Sequence, residues 1–303
     1  MTALVRATGV GFLLFPELGA LASVVFADPG GRWARAPVLL AVTPVVTALL
    51  GVLITRLLPY GPLAVVLDLA TCLLVIRALR SPIVPAISAG ILPLALGITS
   101  WMYPLAILAG TGGLALLVVL RASLAPAIPT APIPSAPIPT PAPPAASPRP
   151  GPWRLPWLWP LAVFLAGALV LVQLLGSHLV LYPPLLVIAW DMLADRDHCP
   201  WLGRPLAVLV VTGGAAAAGL ALVQVLGVVP LASFLAMLAT ALLLRLSQLR
   251  CPPAFGLALL PFVIPAPPAT YTLLTLAGTA WLLLVVGLAE RLDRRRRQPE
   301  WNP

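Results

Sequence analysis

The chain has 303 residues, 60% of them hydrophobic and 9% charged, with a mean hydropathy of +1.04. Soluble domains carry roughly 25% charged residues, so this composition excludes one and points to an integral membrane protein. The net charge of +9 would raise nucleic acid as a partner of a soluble protein. Here all 18 basic residues are Arg and sit at the ends of apolar runs, where they act as topology determinants beside anionic headgroups; nucleic acid is excluded as an expected partner.

Only helices satisfy the backbone in lipid at this density, and one crossing needs about twenty residues. The first apolar run, 9–27, carries Glu17 directly after Pro16. That places the carboxylate in a helix's first turn, where it favours the dipole and caps the start. An acid inside a membrane run is also a functional candidate by default. Arg6, the apolar stretch and the small residues at 20–23 could pass as a signal peptide, but an equivalent run at 179–194 argues for retained structure.

Runs follow at 38–58 and 62–79. Asp68 stands in the middle of PLAVVLDLATCLLVI, seven to ten residues from either end, beyond the reach of snorkelling. Desolvation disfavours its charged form. Three readings stay open: it binds a proton or cation, it pairs with Arg77 or Arg56, or it packs as a neutral, hydrogen-bonded residue. Arg77 at the end of this run reads as positive-inside anchoring, or, with Arg245, as one of two cations facing the short segments and attracting an anion. The next run, 83–98, is short and opens on PIVPAISAGILP, with Pro85 near its start; 104–120 closes the first half.

LAPAIPTAPIPSAPIPTPAPPAASPRPGPW comes next. Its near-repeat favours extended polyproline II and forms no packed core. It reads as a cytoplasmic spacer, with a proline-recognition ligand as the alternative. Further runs lie at 157–176, 179–194, 205–226, 229–248, 252–266 and 270–290. Asp191 lies about a turn from the basic end of its run. DRDHCPW (195–201) holds Asp, His and Cys, but a metal needs three or four convergent ligands, so it reads as a solvated loop. GGAAAAG (213–219) lets helices approach closely. RCPPAFGLALLP (250–261) places Pro253 at the start of another short segment, and RLDRRRRQ is a lipid-facing anchor. Cys72, Cys199 and Cys251 show no disulfide or zinc spacing. No nucleophile elbow, phosphate loop or His-rich pattern is present, so neither an enzyme nor a cofactor is expected.

If all eleven runs cross, 16 of the 18 arginines share one face, with Arg6 and Arg56 on the other. Making the runs at 9, 83, 179 and 252 re-entrant would split them evenly. The positive-inside rule therefore predicts eleven crossings in a plasma membrane, N-terminus outside and C-terminus cytoplasmic.

Residues 33–120 align without a gap on 201–288 at an offset of 168. Trp33 meets Trp201, Pro37 meets Pro205, Gly51 meets Gly219 and Arg77 meets Arg245. Pro85 meets Pro253, Pro93 meets Pro261, and Tyr103 meets Tyr271. One residue out of phase, Pro16 and Asp28 match Pro183 and Asp195. A series of Pro, Gly, Trp, Tyr and Arg is not generic apolar text; it predicts a tandem duplication. Each unit has five crossings, and the unmatched run at 157–176 restores orientation, so the units are expected to be parallel repeats. The expected organisation is a first repeat over 1–121, a Pro/Ala-rich linker over 122–156 and a linking helix over 157–176. A second repeat over 177–290 and an Arg-rich tail over 291–303 complete it. The fold class is an all-α polytopic membrane protein of two parallel five-helix repeats plus one linking helix.

The segments FPELGALASVVFADP (15–29), VPAISAGILPLALG (84–97) and RCPPAFGLALLP (250–261) resemble the HPP family of integral membrane proteins. The resemblance covers both halves, apart from the linker and the run at 157–176. The His of the family's His-Pro-Pro triplet is replaced by Ile83 and by Cys251, the first Pro of the first copy by Val84, and no Gly-His pair follows Asp28 or Asp195. What the resemblance implies is movement of a small anion, nitrite being the activity usually attached to the family.

The expected function is a transporter or permease-like protein for a small anion or a proton. Its candidate residues are Glu17, Asp68, Arg77, Arg245, Pro85 and Pro253, and its other partner is the lipid bilayer. Short helices starting after Pro16, Pro85, Pro183 and Pro253 would offer unpaired N–H groups to an anion. The alternative is a non-transporting scaffold or accessory subunit whose linker and tail recruit a cytoplasmic partner. A lipid-acting enzyme is the weakest reading, and oligomeric state is not readable from the sequence.

Overall fold

The computed structural model describes residues 2–124, 157–196 and 199–297, and every regular element among them is helical. In chain order these are α1 (Thr2–Thr8), α2 (Glu17–Ala27), α3 (Pro37–Leu57), α4 (Pro62–Ala78), α5 (Ala86–Leu96) and α6 (Met102–Leu124). They continue with α7 (Leu158–Leu175), α8 (Pro183–Leu193), α9 (Pro205–Leu226), α10 (Pro230–Leu246), α11 (Pro253–Leu259) and α12 (Tyr271–Arg297). Proline punctuates these starts. It sits in the first turn of α3, α4, α8, α9, α10 and α11, where its missing N–H costs no helical bond, and it immediately precedes α2 and α5. The expected linker lies outside the described residues. The expected tail begins as helix, since α12 runs unbroken to Arg297.

Five helices are long and apolar enough to cross a membrane: α3, α6, α7, α9 and α12 as far as Asp293. Their outward faces are apolar as well, with Leu57, Leu105, Leu174, Leu206, Val225 and Leu284 all largely exposed. An apolar exterior around an apolar interior is the surface of a membrane protein.

Charge gathers at the two ends of the bundle. At one end Arg32 pairs with Asp195 at 3.8 Å, and Arg196 pairs with Glu290 and Asp293 at 3.4 and 3.1 Å. Arg121 donates there to the Phe26 carbonyl, and Arg204 to the Ser247 and Gln248 carbonyls. At the other end Arg56 donates to the Thr99 carbonyl at 2.9 Å and lies over the Trp101 ring. With 2–28 and 178–195 each counted as one segment, the described helices make eleven segments.

α5 and α11 are short, at 11 and 7 residues, and every residue of Ala86–Ala95 and of Pro253–Leu259 is buried. At 1.5 Å per residue, α5 is roughly 16 Å long, about half the thickness of a hydrocarbon core. Each lies directly on a long helix. A Cβ on Gly51 of α3 would run into the Gly90 carbonyl, and one on Gly219 of α9 into the Ala258 carbonyl. Such backbone-to-backbone approach is what small residues allow where lipid offers no hydrophobic drive.

The prolines inside these short segments are accommodated by side chains. Pro93 has no N–H for the Ala89 carbonyl four residues earlier; the Tyr103 hydroxyl of α6 donates to that oxygen instead, at 2.9 Å. Pro261 likewise leaves the Leu257 carbonyl without its helical donor, and the Tyr271 hydroxyl of α12 supplies one at 2.8 Å. Both tyrosines are fully buried. Other residues 168 apart also share conformation: α4 and α10 end on left-handed Arg80 and Gln248, at φ 49° and 48°.

The two halves of the chain interlock. α2 packs on α11, and α8 packs on α5. α7 lies along α12, where the Trp281 indole donates to the Phe164 carbonyl at 2.9 Å over Gly167.

Candidate functional site

The middle of the molecule is built around α5. The chain turns at Phe15 and Pro16, so that α2 starts at Glu17 with its carboxylate inside the bundle, 1% exposed. Ser88 of α5 faces it without forming a hydrogen bond of ordinary geometry. Gly256 of α11 makes room, since a Cβ there would sit 3.2 Å from both Glu17 Oε1 and Pro184 Cγ. Glu17 stands in the first turn of α2, as its place after Pro16 predicts, and neither carboxylate oxygen has a hydrogen-bond partner of ordinary geometry. The residues 168 or 167 positions on from Ser88 and Glu17 are Gly256 and Pro184. One half thus brings polar groups to this meeting point, and the other brings only small or apolar ones.

On the other side of α5 lies Asp68, fully buried on α4. Cys72, one turn on, donates its thiol to Oδ1 at 3.6 Å, while Oδ2 has no partner. A Cβ on Gly90 would come 3.2 Å from Asp68 Oδ1 and run into the Cys72 sulfur. The expected pairing with Arg77 or Arg56 is not formed. Arg77 is exposed at the far end of α4, and Arg56 is engaged with Thr99 and Trp101. Nine residues separate Asp68 from Arg77, two and a half turns, which sets them on opposite faces of the helix.

A cavity of ≈ 360 Å³ opens at the basic end, between the halves. Its walls include Asp28, Arg32 and Trp33 from the first half, and Asp191, Trp201 and Arg250 from the second. Trp201 is 4% exposed, and its indole N–H has no partner. Cys199, in the loop beside it, has its thiol pushed up to about 12 by burial. A second cavity of ≈ 510 Å³ opens at the other end, lined by Thr55, Tyr60, Leu94, Gly97, Thr99 and His178. There burial pushes the Tyr60 phenol up to about 12 and His178 below its usual 6.5. α3 runs from beside Trp33 at one cavity to Thr55 at the other, and α5 from beside Val84 to Leu94.

The structure brings Glu17 and Asp68 to either side of α5. Pro85 starts that helix, and Pro253 starts α11 on the wall of the basic-end cavity. Arg77 and Arg245 join none of this; both are exposed in the last turns of α4 and α10 and line neither cavity. Asp68 also lines neither. His198 of the DRDHCPW loop lies outside the described residues, and among the described residues no group of His, Cys, Asp or Glu is arranged to hold a metal. Sequence reasoning missed Ser88, Arg32, Arg250 and the orphaned Trp201 indole. Only Trp201 carried a signal, through its match with Trp33. No protein-family profile, curated protein or solved structure matches this chain.

Proposed function

We propose that the protein is a membrane transporter that moves a small solute between the two cavities, past α5 and α11. The observation that carries this reading is the pair of cavities at opposite ends of the bundle, separated by helices of about half a bilayer's thickness. Broken or short helices buried inside a bundle are where transporters place their sites.

The same reading makes the chain two parallel five-helix repeats over 1–121 and 177–290, joined by α7, with the linker and tail between and after them. It is supported by the shared spacing of Gly51 and Gly219, Pro93 and Pro261, Tyr103 and Tyr271, each set engaged alike. All eleven segments then cross the bilayer, and the arginine-rich end faces the cytoplasm of a plasma membrane. The cargo class we favour is a small anion, for which Arg32 and Arg250 stand on the basic-end cavity. Nitrite is the member that the HPP resemblance names.

The test is uptake by the full chain in liposomes, across a panel of small anions that includes nitrite. Saturable uptake above that of empty liposomes is the expected result; its absence across the panel overturns the anion reading.

A further inference from the structure

Seven buried side-chain polar atoms lack a hydrogen bond among the described residues, and four of them flank α5: both Glu17 oxygens, Ser88 Oγ and Asp68 Oδ2. An orphaned buried polar atom is costly, and four around one short helix call for a missing ligand. Ser88 is fully buried, like Asp68, and faces the Glu17 carboxylate.

No positive charge answers these acids. The ion pairs among the described residues lie at the basic end of the bundle. Around Glu17, α11 presents Gly256 and α8 presents Pro184, while the phenols of Tyr103 and Tyr271 are the titratable groups that feel its charge. Around Asp68 the titratable neighbours are the Cys72 thiol and, again, Tyr103. All of these are neutral at neutral pH. A hard metal cation takes about six oxygens or more. Here Glu17 has one hydroxyl beside it and Asp68 one thiol, which is too few for a metal. A proton needs a single oxygen.

We propose that Glu17 and Asp68 are proton-carrying groups on either side of α5, and that the proton is the ion coupled to the transport proposed above, on which this inference rests. Neither carboxylate lines a cavity in this conformation, so each meets water only when the helices around α5 shift: it takes a proton from one side, becomes a neutral acid, and returns the proton to the other; no other bond changes. Loaded, Glu17 donates to Ser88 Oγ, and neither acid carries a buried, unpaired charge. Unloaded, two unpaired negative charges stand between the cavities and repel an anion. Anion and proton therefore move together, in the same direction.

Infrared difference spectroscopy of the full chain in nanodiscs, titrated through neutral pH, tests the assignment without any cargo. The carbonyl stretch of a protonated carboxylic acid is expected to lose intensity as pH rises. Glu17→Gln is expected to remove one component and Asp68→Asn another, with helical circular dichroism unchanged in both. Ser88→Ala keeps both components and shifts the frequency of the Glu17 one. Absence of any band sensitive to these substitutions overturns the proposal. So does a carboxylate band that responds to sodium in place of choline at fixed pH, which assigns a metal cation instead. Titrating bands without anion uptake overturn the transport reading alone. Uptake indifferent to a pH gradient and to Glu17→Gln overturns the coupling alone.

Discussion

The ring of Tyr60 lies on that of His178, with centroids 3.6 Å apart and planes 12° from parallel. Tyr60 belongs to the turn between α3 and α4, and His178 to the turn that leads into α8, so the stack ties the two halves together beside the cavity at that end. Burial lowers the proton affinity of His178 below its usual 6.5, opposed by a backbone hydrogen bond with Ala95. The unfolded chain therefore binds this proton at a higher pH than the folded one. The stabilising contribution of the neutral ring is complete above 6.5 and is lost as pH falls through the folded value. Thermal unfolding followed at neutral and acid pH should show this loss in the native chain and a smaller one in His178→Phe, which keeps a stackable ring. Identical pH slopes in the two proteins would remove His178 from the account.

Tyr103→Phe and Tyr271→Phe are each expected to cost about 1–3 kcal/mol, because each leaves a buried carbonyl unpaired. The two losses should be nearly additive, since the sites share no partner. Pro93→Ala restores an N–H to α5. In the Tyr103→Phe background it should return most of the lost stability, and the denaturant midpoint of the double variant checks it.

Much of this molecule was legible in advance, and the reasons are particular. The run at 38–58 became α3, Pro37–Leu57, because an apolar stretch led by Pro has one helical solution in lipid. Glu17 and Asp68 stood out because acids in apolar text are expensive. Their placement on either side of α5 did not, since it depends on how α2 and α4 pack against a third helix. Ser88 is a small hydroxyl in apolar text and carries no pattern of its own. Pro93 foretells an orphaned carbonyl at Ala89, but only tertiary structure names Tyr103 as the donor. Arg77 and Arg245 fell the other way: charged residues in the last turn of a helix are anchors first, and both are exposed there.

Cys199 gives a reading of sidedness and pH together. Its thiol is pushed up to about 12, so the thiolate is a small fraction at neutral pH. With Cys72 and Cys251 replaced by Ala, labelling by a membrane-impermeant maleimide should occur from the arginine-rich side alone. Its rate should rise about tenfold per pH unit until the thiol titrates. Labelling from the opposite side would invert the proposed orientation.

Removing most of residues 125–152 separates a transporter from a scaffold. A tether between two membrane units tolerates shortening, so uptake should be unchanged. A chain that worked by recruiting a partner through this proline-rich segment would lose its activity altogether.

The tyrosine donors at Pro93 and Pro261 carry a consequence for how the chain is made. α5 emerges from the ribosome with the Ala89 carbonyl missing the helical donor that Pro93 removes, and the hydroxyl that answers it, Tyr103, lies in the helix synthesised next. The same holds for α11 and Tyr271 of α12. Neither short helix is fit to enter lipid alone. Each must wait at the insertion machinery until its partner arrives, so that the membrane receives helical hairpins rather than single helices.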